Sequence, residues 1–252
     1  MTLTIPDLKE RIVVPAASSI YPEIGASYSR PAYEMKYSNN LVIGCKNYYD
    51  SEAEIPEGPR MSTSAEELAI QLGYARAGIN LRSEKANALY CLLRENYWNE
   101  WQWTATGLRV SPDMRKPPEQ PDYVDDQGNK FWLRQVLIGN EVVGEVCIPE
   151  GNGRWVVEWD EVFGLAKITT EKIDWTRKPY TTQSWFKPNP SKDEKSGYRD
   201  VAVGRSGGWL RDGGDGYLGF VADCERWLAF SGGYRPVQGS VPEIRAERTT
   251  TF

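Results

Sequence analysis

FWLRQVLIGNEVVGEVCIPEGNGRWVVEWDEVFGLAKI, residues 131–168, decides the fold. Apolar and β-branched residues fall in strand-length runs, and glycine-bearing breaks separate them. Phe131–Ile138 and Glu141–Ile148 flank Gly139-Asn140, a two-residue turn of the kind that closes a hairpin. Arg154–Asp160 and Val162–Ile168 follow the turn Gly151-Asn152-Gly153. This spacing predicts four consecutive antiparallel strands, a meander. Beyond a Pro- and Lys-containing loop at Arg177–Tyr198, further strands are expected at Asp200–Val203, Gly216–Ala222 and Arg226–Phe230. Residues 131–238 thus read as an antiparallel β-rich, meander- or sandwich-like domain.

Upstream the texture changes. Residues 1–60 carry Pro6, Pro15, Pro22, Pro31, Pro56 and Pro59, which leave little room for a long helix. They read as an extended, irregular Tyr- and Pro-rich arm with two β-like runs, Arg11–Val14 and Leu41–Cys45. Residues 61–103 read as a helical hairpin. Ser64 and Glu67 have the spacing of a capping box, Leu68, Leu72 and Ala75 share a face, and Gly78 stands where a helix would end. A second helix is expected from Ser83 through Leu89, Leu92, Leu93 and Tyr97. Residues 104–130, with Pro112, Pro117, Pro118 and Pro121, read as a linker, and residues 239–252 as a polar tail. The expected class is α+β.

Composition removes whole chemistries. The 252 residues contain no histidine, so Ser–His and Cys–His nucleophiles and imidazole metal sites are unavailable. Cys45, Cys91, Cys147 and Cys224 show no C-x-x-C spacing, and reduced thiols are expected. Neither a G-x-x-x-x-G-K-[ST] loop nor a strand–G-x-G-x-x-G–helix unit occurs. No cofactor and no metal are expected. A net charge of −5 argues against broad nucleic-acid binding, which needs a basic field. No run is long and apolar enough to span a membrane, and residues 1–10 lack the marks of a secretory leader. The expected location is the cytoplasm or an intracellularly assembled particle.

What remains is carboxylates and aromatics. Glycoside cleavage needs two acids and no histidine, and Glu158 and Asp160 would share one face of a strand with Trp159 on the other. The plainer reading makes them the solvent face of a strand end. Ten tryptophans offer the candidate binding residues Trp98, Trp101, Trp103, Trp155 and Trp159, which equally suit core packing. Arg211–Gly216 lacks the spaced acids of a calcium loop and reads as a hairpin turn. The basic residues Arg109, Arg115, Lys116, Arg177, Lys178, Lys187, Lys192 and Lys195 are scattered over loops.

Leu68-Ala69, Leu72-Gly73 and Ile79 have the spacing of the helix-turn-helix unit, and Ala65–Glu84 resembles that of DNA-binding repressors. The resemblance implies a turn at Gly73 and a recognition helix after it. Gly78 inside that helix and Arg82 at a usually apolar position depart from the pattern. The expected function is that of a non-catalytic interaction or structural subunit of a larger assembly, of the virion, tail or ribonucleoprotein kind. Its partners would be other protein subunits. A carbohydrate-binding or glycan-active β-domain and a helix-turn-helix DNA binder are the alternatives, with glycan or nucleic acid as partner.

Overall fold

Proline sets the boundaries of the first strands. The computed structural model describes residues 7–38, 41–80, 101–113, 116–171, 182–209, 216–226 and 230–248. It opens with strands β1 (Glu10–Val14), β2 (Ala17–Tyr21), β3 (Ala26–Arg30), β4 (Tyr33–Tyr37) and β5 (Val42–Lys46). Pro15, Pro22 and Pro31 fall between strands, where a missing amide costs no ladder hydrogen bond. The stretch expected to be an irregular arm is therefore extended chain folded into sheets. Its two β-like runs are β1 and β5.

Helix α1 (Tyr48–Ala53) is capped by Asn47, whose side chain accepts from the Asp50 amide at 2.8 Å. After the short β6 (Arg60–Met61), helix α2 spans Ser64–Asn80. Its capping box lies one residue earlier than the sequence suggests. Thr63 Oγ1 accepts from the Glu66 amide at 3.2 Å, and Glu66 Oε2 accepts from the Thr63 amide at 2.8 Å. Ser64 and Glu67 are drawn elsewhere, the first donating to the Gly164 carbonyl and the second pairing with Arg235. The helix runs unbroken through Gly73 and past Gly78. The turn that the helix-turn-helix resemblance requires is absent, and the helix expected from Ser83 lies outside the described residues.

The remaining strands are β7 (Trp101–Arg109), β8 (Tyr123–Val124), β9 (Lys130–Ile138), β10 (Glu141–Pro149), β11 (Arg154–Asp160) and β12 (Leu165–Thr170). They are followed by β13 (Thr182–Phe186), β14 (Asp200–Trp209), β15 (Gly216–Glu225), β16 (Phe230–Tyr234), β17 (Pro236–Gln238) and β18 (Arg245–Arg248). The architecture is β-rich α+β, mostly antiparallel, with a small helical part. The largest sheet follows the order β10-β9-β7-β14-β15-β13-β11-β12, with β16, β5 and β8 attached at its side. Two pairings within it, β13 with β15 and β16 with β7, are parallel.

Two expectations change here. Residues 104–109, placed in a linker, belong to β7, an interior strand whose Thr104, Thr106 and Leu108 are buried. The four strands of 131–168 form two hairpins rather than one meander, and the hairpins lie at opposite ends of the sheet path. Gly139 turns the first hairpin with φ +61°, backbone that glycine enters without a Cβ penalty. At the second break the chain is held by β13 instead. The Gly153 amide donates to the Ser184 carbonyl at 2.9 Å, and β11 pairs with β13.

The end strands β10 and β12 come back into contact, so the sheet curls around one core. Val136, Val146, Ile148, Leu165 and Phe220 fill it, with Tyr21 and Tyr28 reaching in from a small sheet ordered β18-β3-β2. A third sheet, β1-β4-β17-β6, packs Val14, Met35 and Val237 under Ile70 of α2. The polar tail contributes β18, which pairs with β3 and fixes residues 245–248 on the body.

Candidate functional site

The acids singled out by sequence do not form a pair. Bulges on both sides of Glu158 break the two-residue alternation of β11. Glu158 stands outside and meets Lys167 at 3.2 Å, whereas Asp160 has no exposed surface. Ser19 Oγ donates to Asp160 at 2.5 Å, Tyr21 donates a short hydrogen bond to it, and the Val162 amide adds one at 2.8 Å. Burial pushes the Asp160 pKa up, while these donors act in the other direction. Asp160 ties the small sheet to the β11–β12 turn and is closed to a substrate.

The tryptophans divide similarly. Trp103 and Trp155 are buried core residues rather than binding rings. Trp159 is half-buried, packs on the main core and carries the Arg205 guanidinium 4.5 Å above its ring. Trp101 lies on β7 two residues before Trp103, and Trp98 lies outside the described residues. The loop at 211–215, with Arg115, Arg177 and Lys178, also lies outside them. Three of the other cations are engaged within the fold. Arg109 grips Asp200 at 2.7 Å, Lys187 meets Glu225 at 2.5 Å, and Lys195 lies over the Tyr49 ring. Cys147 is buried, and burial pushes its thiol up to about 12, away from thiolate chemistry.

Sequence gave no sign of the buried arginines. Arg30, Arg134, Arg205, Arg226 and Arg235 each expose 3% or less of their surface. Most of their bonds run to loop carbonyls, so each fastens segments far apart in the chain. Around the first turn of α2, Arg205 and Arg235 join the partly exposed Arg60 in a charged seam. Arg60 holds Glu66 at 2.5 Å and Arg235 holds Glu67 at 3.0 Å, with no exposure at either carboxylate. Arg205 donates to the Gly164 carbonyl at 2.9 Å, and burial lowers its guanidinium to about 9. The helix start rests on Gly164 itself, where an added Cβ would lie 2.3 Å from the Ala65 nitrogen.

Arg30 marks the part of the surface that remains open. Its guanidinium donates to the carbonyls of Val162 at 3.3 Å, Pro15 at 3.1 Å and Glu161 at 3.3 Å, and no carboxylate pairs with it among the described residues. On one side lies a groove of about 260 Å³ between β1 and α2, lined by Ile12, Val13, Pro15, Leu68, Ala69 and Leu72, with Arg30 and Glu161. On the other lies a pocket of about 430 Å³, lined by Ala16, Ala17, Ser18, Ser29, Arg30, Pro31 and Arg245. The two share Arg30 and meet along the chain at Pro15-Ala16.

No family model, curated protein or solved structure matches this chain.

The site therefore rests on its geometry alone. Among the described strands, β1 and β2 are both at the edges of their sheets. Val13 is 56% exposed and Ile20 63% exposed, more than any other large apolar side chain among the described residues. In sequence, the only trace of this face is Ile20 standing beside Ser18 and Ser19.

Proposed function

We propose that the protein is a non-catalytic interaction subunit of a larger assembly, docked to a protein partner through the face built by β1, β2 and the adjoining groove. The observation that carries this reading is the placement of the exposed Val13 and Ile20 on two successive strands whose outer edges pair with no other described strand. An edge strand presents unpaired backbone donors and acceptors, and folded proteins usually cover it, charge it or shorten it. Apolar side chains left on such an edge suit strand addition by a partner. The groove between β1 and α2 supplies further apolar surface beside the edge.

Affinity purification from the native host, with wild type beside Val13→Asp and Ile20→Asp, tests the proposal. Both positions are exposed, so the variants fold and keep stability to within about 0.5 kcal/mol. Wild type is expected to bring down a defined protein set that both variants lose. Retention of that set by the variants, or a wild-type chain that is a solitary monomer, overturns it. A wild-type homodimer lost in both variants would make the occupant a second copy of the chain and also overturn the larger assembly.

A further inference from the structure

The pocket beside β2 has a chemistry of its own. Ser18 faces Ser29 across β2 and β3, and Arg245 faces Ser29 across β3 and β18. Directly opposed residues in an antiparallel sheet emerge on the same side, so these three form one row across the small sheet. All three are exposed. Among the described residues, neither serine hydroxyl is engaged with another group and Arg245 meets no carboxylate. The other arginine of β18 behaves differently. Arg248 projects from the opposite face and pairs with Glu145 at 3.0 Å.

Behind the row stands Arg30, a buried cation whose acceptors are carbonyls only. A carbonyl dipole satisfies an N–H but does not cancel the charge, so the field of Arg30 extends into the pocket that it lines. The pocket is therefore lined by two arginines and two serines and by no acid among the described residues, with the Arg245 guanidinium on the open face and that of Arg30 on the face behind it. Glu247 sits in the next row, opposite Ser27, and forms no ion pair with Arg245. Two residues along β2, on the face of Ser18, stands the exposed Ile20.

We propose that this pocket receives a carboxylate side chain from an extended segment of the protein partner, the segment adding to the edge of β2 and placing an apolar residue against Ile20. The inference rests on the docking reading above and names the chemistry of its partner. Guanidinium binds carboxylate through paired, charge-assisted hydrogen bonds, and serine hydroxyls donate to the remaining lone pairs. Strand addition fixes the spacing, because alternate residues of the incoming segment face the same side. A nucleic-acid backbone fits less well. It needs several phosphate contacts, whereas one outward arginine stands here beside apolar surface, on a chain of net charge −5.

The test is selection of a random-sequence peptide display library on the full-length protein, followed by affinity measurement on the enriched peptides. Enriched peptides are expected to share one Asp or Glu at a fixed spacing from Val, Ile or Leu. Changing that acid to its amide should weaken binding about tenfold. Arg245→Ala should bind the acid and amide peptides equally, and Arg245→Lys should restore part of the difference. Arg245 is exposed, so circular dichroism of these variants should match wild type.

Enrichment without an acid, no enrichment at all, or an acid preference that survives Arg245→Ala overturns the inference. So does a single-stranded oligothymidylate that binds the wild type and is lost in Arg245→Ala, which would assign the pocket to phosphate. If Val13→Asp and Ile20→Asp still strip partners from the host sample, the docking reading stands and only the carboxylate is wrong.

Discussion

The seam under α2 and the face along β1 and β2 are both built around arginine, yet they use it in opposite ways. In the seam, Arg60 and Arg235 are closed on Glu66 and Glu67, and the buried Arg205 is fastened to the Ser64 and Gly164 carbonyls. At the face, Arg245 is exposed and meets no carboxylate among the described residues, and Arg30 stands behind a pocket whose described lining holds no acid. A buried ion pair is costly to break because the surviving charge stays out of water. An exposed unpaired one costs almost nothing to remove. The difference separates residues that hold the fold from residues free to meet something else.

The comparison is broken most forcefully at Glu67. Glu67→Ala removes the buried carboxylate that pairs with Arg235 and an opposing charge that acts on Arg205, and should cost about 3–5 kcal/mol in urea denaturation. Gly164→Ala should cost about 3 kcal/mol, because φ is +72° and the new methyl meets backbone of the α2 start rather than a movable side chain. Thr63→Ala opens one half of the capping box and should cost about 1 kcal/mol. At the small end, Arg245→Ala should leave the denaturation midpoint where it is, to within about 0.5 kcal/mol. A large loss there would place Arg245 in the fold and erase the contrast.

Alkaline pH sharpens the same contrast without a mutation. Burial raises the phenols of Tyr21, Tyr33 and Tyr48 above the ordinary 10.0. The unfolded chain releases these protons first, so their contribution to stability is complete below pH 10 and declines as pH rises above it. Denaturation curves across that range should show the decline. The phenolate absorption of these tyrosines should appear only as the protein unfolds.

How much of this was legible in the sequence follows from the range of the interactions. Strands β9 to β12 were readable because apolar runs and glycine breaks are local. The start of α2 was readable to within one residue, and the remaining offset came from Gly164, about a hundred positions away, claiming Ser64. The sheet order was not readable, because β13 and β15 intervene through pairings that leave no mark near residue 151. The bulges beside Glu158 sent Asp160 inward against the simple alternation, and the partners that hold it, Ser19 and Tyr21, lie in the first strands. The Leu-Ala-Leu-Gly spacing of a repressor turn is also that of an unbroken amphipathic helix, and here the helix continues. Nothing local marks Arg30 as buried or Val13 as exposed. Burial is decided by which edges remain uncovered once the sheets have formed.

The most direct measurement is amide hydrogen exchange on the protein alone and in complex with the partner it captures. Binding at the proposed face predicts slower exchange across residues 10–21 and around Arg245, with the α2 start and the β9–β10 hairpin unchanged. Protection concentrated elsewhere, with residues 10–21 exchanging as they do in the free chain, would contradict it.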